Sequence, residues 1–185
     1  MTFEGVHISQ VKTAKKVGEF VLEAGRLNFR YKEDVIHEAR LNQPRVYLIT
    51  VDEIIYKIGG SESRGGIRST ISLYLRGRSG SPGPSRFVTY GLIVIELERG
   101  RKVELYMISS PGVKMKVCGL FDCDAEEEAY PFRAMERRCL EDYKALTGKF
   151  PPWNFKELNI SYPEDLYEEY LRYHSERIKR RSNGE

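Results

Sequence analysis

Hydrophobic and polar positions recur with two different periods along the first half of the chain. Between positions 10 and 24 the apolar residues are spaced by three and four, which predicts an amphipathic helix that ends at Gly25; they are Val11, Ala14, Val17, Phe20, Val21 and Ala24. A weaker helical pattern covers 31–41 and stops before Pro44. The N-terminal region, residues 1–44, is therefore expected to be a helical extension.

The next segment has the short period of β-strands. Two runs rich in β-branched and aromatic residues, 46–51 and 54–59, are separated only by Asp52-Glu53, and this predicts a β-hairpin over 45–59. A helix is predicted over 67–76. The Gly/Ser/Pro-rich stretch 77–84 is a loop, either a flexible surface loop or one that becomes ordered on DNA. Segment 86–97 fits a strand or a helix, and 102–108 alternates as a strand.

The C-terminal third contains two clear helices. Residues 109–130 form a connector with a possible short strand at 114–121, and its acidic run 122–128 is most simply solvated. A helix begins at Pro131 and ends at Thr147-Gly148. Ser161 and Glu164 have capping-box spacing and introduce a last helix over 163–180.

Composition and charge restrict the class of protein. The chain has 185 residues, 41% of them hydrophobic and 31% charged, so one folded domain is expected. No stretch approaches about 20 apolar residues and no signal peptide is visible, so we expect a cytoplasmic protein without a membrane partner. Cys118 and Cys123 fall short of the four ligands of a structural zinc site.

Charge is distributed unevenly, although the net charge is only +3. A basic cluster surrounds the predicted helix and loop: Arg64, Arg68, Arg76, Arg78 and Arg86. A basic region on a nearly neutral protein suits a polyanion that is held in one groove.

Four polar residues could divide the chemistry of phosphodiester hydrolysis. Tyr47, Lys57 and Arg68 follow one another at intervals of 10 and 11 residues on three consecutive predicted elements. Tyr47 is a candidate base with a free pKa of about 10, which a nearby Lys57 would lower. Arg68 can neutralise phosphoryl oxygens, and Glu136 can hold one Mg²⁺ with water as the other ligands. Each residue alone also has an ordinary structural explanation.

Together these residues resemble the GIY-YIG nuclease superfamily. Val46-Tyr47 matches the first motif, Lys57-Ile58-Gly59 the second, and Arg68 the arginine of the following helix. Glu136-x-x-x-Leu140 and the later Pro152-Trp153-Asn154 resemble the metal-binding helix and the ending of the family. In the second motif this chain has lysine where most members have tyrosine. In this it resembles a branch of small type II restriction endonucleases within the superfamily.

The resemblance covers 45–155 and implies a fold class there, α+β: a small three-stranded antiparallel sheet flanked by helices. Segments 1–44 and 156–185 lie outside the resemblance, and their own patterns predict helical extensions of the same domain. The resemblance favours a helix for 86–97. It implies an Mg²⁺-dependent endonuclease of double-stranded DNA, a homodimer and a partner DNA methyltransferase. Under this interpretation DNA is contacted by residues of the helix and its neighbouring loops: Ser61, Arg64, Tyr74, Arg76, Arg78 and Arg86.

Other interpretations stay open. They are a GIY-YIG enzyme of DNA repair or of a mobile element, a catalytically silent nucleic-acid-binding module on the same scaffold, and an unrelated α+β protein. A PD-(D/E)xK site would use Asp122 with Asp142 and Lys144, but it would place the key pair on a helix instead of a strand. Glu141 competes with Glu136 as the metal ligand, and Asn154 comes later after the glutamate than in many members of the family.

Overall fold

The chain folds around a five-stranded antiparallel sheet. A computed structural model describes residues 5–62, 64–118, 120–121 and 125–182. The sheet has the order β2-β1-β5-β3-β4. Its strands are β1 (Lys15–Glu23), β2 (Arg26–Tyr31), β3 (Arg45–Val51), β4 (Ile54–Ser61) and β5 (Val103–Ser109). Single 3-10 turns lie at Ile8–Gln10, Glu33–Val35 and Glu38–Arg40.

Helices cover both faces of this sheet, and a separate two-stranded sheet follows β5. The helices are α1 (Gly66–Leu75), α2 (Pro84–Glu98), α3 (Phe132–Thr147), α4 (Phe155–Leu158) and α5 (Glu164–Ser182). The second sheet pairs β6 (Val113–Val117) with β7 (Ala125–Ala129). Among the described residues, no helix combines the length and the apolar character needed to cross a membrane.

The central strand β3 is buried at every position because it separates two hydrophobic cores. Tyr47, Ile49 and Val51 point into the first core, which α1 and α2 cover. Val46 and Leu48 point into the second core, which α3 covers through Leu140 and Tyr143. Alternation along one strand thus places neighbouring residues on opposite faces of the sheet.

The predicted three-stranded sheet and N-terminal helix are wrong, because residues 15–31 form the hairpin β1-β2 and extend the sheet to five strands. The register of β1 against β5 shifts between Lys16 and Gly18, so Val17 and Phe20 both enter the first core three residues apart. Val11 and Ala14 pack in the second core instead. The helical spacing therefore arose from a bulged strand and a loop that face different cores.

The two-residue break at Asp52-Glu53 forms the expected tight turn, and both residues have positive φ, 46° and 66°. Segment 86–97 belongs to α2, as the resemblance implied. Gly91, which weakens a helix prediction, lies where a side chain would collide with Leu166 of α5. The glycine therefore serves the packing of α5 against α2.

The connector contains more regular structure than predicted. The expected short strand is β6, and part of the acidic run forms β7 opposite it, with Lys114 facing Glu128 and Lys116 facing Glu126. The other residues of that run, 122–124, lie outside the described residues. The helices predicted from 131 and over 163–180 are confirmed as α3 and α5.

A buried carboxylate on β5 leads to a prediction about stability. Glu104 is 2% exposed and accepts hydrogen bonds from Lys16 and Tyr106, and its carboxylate pairs with Lys102. Burial acts to raise the pKa of Glu104, but the hydrogen bonds from Lys102 and Lys16 hold this pKa below its ordinary value. Glu104 therefore stabilises the fold above its unfolded pKa, and this stabilisation is lost as the pH falls through its folded pKa.

We expect Glu104→Gln to lower the free energy of unfolding by about 1–3 kcal/mol near neutral pH. The difference from the wild type should shrink below about pH 4, where the carboxylate of the wild type becomes protonated. Urea denaturation near neutral pH and below about pH 4 measures this difference in the free energy of unfolding. The control is Glu98→Gln, because Glu98 is an exposed glutamate. An equal loss at both pH values would contradict the ionic contribution.

Candidate active site

A cleft opens where β3, β4, α1 and α3 meet beside α4. Its inner part is a cavity of about 260 Å³, and its lining includes Tyr47, Lys57, Gly60, Tyr74, Ser85, Glu136, Asn154 and Glu157. A neighbouring cavity of about 370 Å³ shares Tyr47, Gly60, Tyr74 and Ser85 and adds Ser61, Thr70 and Arg86. Because they share these walls, we describe both cavities together as the central cleft.

Tyr47 lies at the centre of the cleft through the register of the hairpin. It is opposite Gly59, and Ile49 is opposite Lys57, so Tyr47 and Lys57 lie on the same side of the sheet. Any side chain at Gly59 would collide with the ring of Tyr47. The Tyr47 and Tyr74 hydroxyls are 2.7 Å apart and form a hydrogen bond. The strand, the glycine and α1 together fix the position of the Tyr47 hydroxyl.

Tyr47 is not activated in the way the sequence suggested. Burial raises the pKa of Tyr47 to about 12, and although the hydrogen bond from Tyr74 opposes this increase, the charges of Glu136 and Glu157 add to it. Lys57 is not among these influences. Near neutral pH the Tyr47 hydroxyl therefore keeps its proton, and it can donate a hydrogen bond as well as accept one.

Lys57 reaches the cleft from β4, the strand at the edge of the sheet. Its ammonium donates a hydrogen bond to the carbonyl of Trp153, 3.2 Å away. Burial lowers the pKa of Lys57, whereas the carboxylates of Glu157 and Glu136 oppose that decrease. The two carboxylates thus favour the ammonium form of Lys57, whose side chain lines the same cavity as Tyr47.

Glu136 enters from α3 on the other side of β4. A side chain at Gly60 would collide with the Glu136 carboxylate, so this glycine leaves the space that the carboxylate uses. Glu141, the other candidate metal ligand, is mostly exposed, and its carboxylate lies 4.0 Å from the guanidinium of Arg137 on the same helix. Only Glu136 of the two lines the cleft.

The donors in the cleft fit a hard cation such as Mg²⁺, which prefers carboxylate and water oxygens. Glu136 and Glu157 are its carboxylates. No group of three or more His, Cys, Asp or Glu side chains able to hold a metal occurs in the described part of the chain. Water or phosphate would therefore supply most ligands. Cys118 is disulfide-bonded, so its thiolate is not available to a metal.

Asn154 lines the cleft and binds the edge of β4. Its side chain accepts a hydrogen bond from the Ile58 N–H at 2.9 Å and donates one to the Ile58 carbonyl at 2.8 Å. It also donates to Glu157 at 3.3 Å. These bonds fix the backbone between Lys57 and Gly59, a role that motif matching could not reveal.

Glu157 was missed by the sequence reasoning. It has no periodic or motif signal, and the only available sign was its position three residues after Asn154, which places it on the same side of α4.

Of the predicted residues, the structure brings Tyr47, Lys57 and Glu136 together but leaves Arg68 outside the central cleft. Arg68 is exposed and lines another cavity with Tyr31 and Arg40. Three of the six predicted DNA contacts line the central cleft, and the other three are exposed at the surface. Ser61, Tyr74 and Arg86 line the cleft; Arg76 donates to the Ser72 carbonyl, Arg78 pairs with Glu169, and Arg64 is exposed.

The sequence comparisons find no relative: no family model matches the chain, and no curated protein does. Among solved structures, a mutant of bacteriophage T4 EndoII matches with a TM-score of 0.56 and 17% identity, covering 80% of this chain and 98% of that one. The chain has the EndoII fold. The restriction endonuclease HPY188I in complex with product DNA matches at a TM-score of 0.48 and 16% identity, covering 80% and 85% of the two chains.

Proposed function

We propose that this chain is a metal-dependent endonuclease that hydrolyses phosphodiester bonds of double-stranded DNA in the central cleft. The observation that carries the proposal is the meeting of Tyr47, Lys57 and Glu136, which come from three separate elements and from positions up to 89 residues apart in the sequence. The fold shared with T4 EndoII supports it. The match of these residues to GIY-YIG motifs supports placement in that superfamily.

The side chains of the cleft divide the reaction among them. Tyr47 positions the attacking water, and the small fraction of Tyr47 that is ionised takes the proton of that water. The Lys57 ammonium stabilises the negative charge that develops nearby. Arg86 lines the same cleft and is placed to neutralise phosphoryl oxygens. Glu136 would hold Mg²⁺, which would supply Lewis-acid stabilisation of the phosphoryl group.

The finer assignment is a type II restriction enzyme of the lysine-containing branch. One cleft cuts one strand, so cleavage of both strands at matched positions requires a two-fold homodimer. A cognate DNA methyltransferase would protect the host DNA. The alternative is an enzyme of DNA repair or of a mobile element in the same superfamily.

The test is incubation of the purified protein with unmethylated phage DNA and with supercoiled plasmid, in Mg²⁺ or in EDTA. We expect discrete fragments in Mg²⁺ and none in EDTA. A smear of fragments or a nicked plasmid would support the nuclease activity but contradict the assignment as a restriction enzyme. Tight DNA binding without any cleavage, or cleavage that persists in EDTA, would reject the proposed metal-dependent reaction.

A further inference from the structure

A second cleft lies on α1, away from Tyr47, and we name it the arginine cleft. Its volume is about 500 Å³, and it is lined by Tyr31, Arg40, Gly65, Arg68, Ser69, Ile71, Ser72 and Leu75. Thr70 and Tyr74, one helical turn apart on α1, line the central cleft instead. Since Arg68 precedes Thr70 by two residues, or about 200° around the helix, the two clefts lie on different sides of α1.

One glycine brings the two arginines together. Gly66, the first residue of α1, has a φ of +71°, and a side chain there would collide with the Ala39 and Leu41 carbonyls. The start of α1 therefore packs against the 3-10 turn that ends at Arg40. This contact places Arg40 and Arg68 on the wall of one cavity although they are distant in sequence.

The arginine cleft has an excess of positive charge. Both guanidinium groups belong to exposed residues, and no acidic residue is among those that line the cavity. Within the described residues neither arginine forms an ion pair, whereas nearby Glu38 is paired with Lys15. The Tyr31 hydroxyl accepts a hydrogen bond from Arg68, which opposes the rise that burial causes in the pKa of Tyr31.

The lining groups suit a phosphate diester. Two guanidinium forks supply paired N–H donors, and the Ser69 and Ser72 hydroxyls can supply single ones. An isolated anion would be held weakly at so open a surface, but a polyanion would place several phosphates within reach. The chemistry of the cleft thus fits a DNA backbone, which carries one charge per about 1.7 Å of helix axis.

We propose that the arginine cleft binds a backbone phosphate of the DNA duplex that is not the phosphate being cleaved. The inference rests on the proposed function for its ligand and assigns Arg68 to positioning of the DNA instead of to the reaction. The helix between the clefts is about 10–12 Å wide with its side chains, close to the width of about 12 Å of the major groove. Phosphates on opposite sides of one groove can therefore reach both clefts.

The test measures binding to a fluorescently labelled duplex by anisotropy over a series of NaCl concentrations in EDTA, where no cleavage interferes. We expect Arg40→Gln and Arg68→Gln each to weaken binding and to lower the slope of log Kd against log salt by about 0.9, and the double variant by about twice that. The control is Arg26→Gln, because Arg26 is an exposed arginine at the far end of β2. It should leave the slope unchanged.

Single-turnover cleavage in Mg²⁺, with the enzyme in saturating excess over the DNA, then separates positioning from reaction. Rates within about threefold of wild type in both variants, together with the lower salt slopes, support the proposal. An unchanged slope with a rate loss of about 100-fold for Arg68→Gln would overturn it and make Arg68 a catalytic residue. If the slopes fall but even the wild type does not cut, the nuclease assignment fails and the arginine cleft stands.

Discussion

Replacement of Glu136 by glutamine is expected to reduce the rate of DNA cleavage by about 1,000-fold or more, equivalent to about 4 kcal/mol of transition-state stabilisation. Glutamine keeps the size of the side chain beside Gly60, so the packing of α3 on β4 should survive. It removes the negative charge that would hold Mg²⁺. Thermal unfolding of the variant should therefore match the wild type while cleavage is lost.

The control for this variant is on the same helix. Glu141→Gln removes an exposed carboxylate whose only described ion pair is with Arg137, at the limit of 4.0 Å. We expect its cleavage rate to stay within about twofold of the wild type, as for most surface substitutions. The measurement is the initial rate on plasmid DNA, with DNA affinity determined in parallel. If Glu141→Gln loses cleavage and Glu136→Gln retains it, the metal assignment is wrong.

The candidate site was predictable where short-range pattern determines position. The two-residue break at Asp52-Glu53 predicted the hairpin that carries Tyr47 and Lys57, but an unshifted register would pair Lys57 with Leu48 on the opposite face from Tyr47. The register shift between Ile49 and Thr50 pairs Lys57 with Ile49 instead and so places Tyr47 and Lys57 on one face. Glu136 was predictable because a strong apolar stripe fixes which side of α3 meets the sheet. The orientation of α3 therefore followed from burial, whereas the side of the sheet that Lys57 occupies depends on a bulge that the hydrophobic pattern does not reveal.

Arg68 shows where this reasoning ends. The orientation of α1 depends on its entry through Gly65 and Gly66, and one residue more or less turns a helix by about 100°. The positive φ of Gly66 and its contact with Ala39 are long-range features that no local pattern contains. Thr70 and Tyr74 consequently face the central cleft, and Arg68 faces Arg40.

The helix predicted for the N-terminal region was wrong for a related reason. Its helical spacing came from Val17 and Phe20 on a bulged strand and from Val11 and Ala14 in the other core. Periodicity records that residues are buried but not which core buries them. A chain whose sheet is covered on both faces can thus imitate a helix wherever a loop crosses from one core to the other.

Replacement of Tyr47 by phenylalanine is expected to lower cleavage by about 100- to 10,000-fold, the usual contribution of a general acid or base. The ring stays packed against Gly59 and only the hydroxyl is removed. Tyr74→Phe is the matched control, since it breaks the same 2.7 Å hydrogen bond but leaves the Tyr47 hydroxyl in place. We expect a loss of about fivefold for Tyr74→Phe, because one neutral hydrogen bond contributes about 1 kcal/mol.

The pH profile tests how Tyr47 acts. Burial raises the pKa of Tyr47 to about 12, so below that pH the ionised fraction able to accept a proton increases about tenfold for each unit by which the pH rises. The wild-type rate should therefore rise with pH until Lys57, whose pKa burial lowers, loses its proton and the rate declines. Tyr47→Phe should lose the rising limb and retain the decline. The decline belongs to Lys57, because Lys57 stabilises charge only as an ammonium. A rising limb that persists in Tyr47→Phe would assign proton removal to another group.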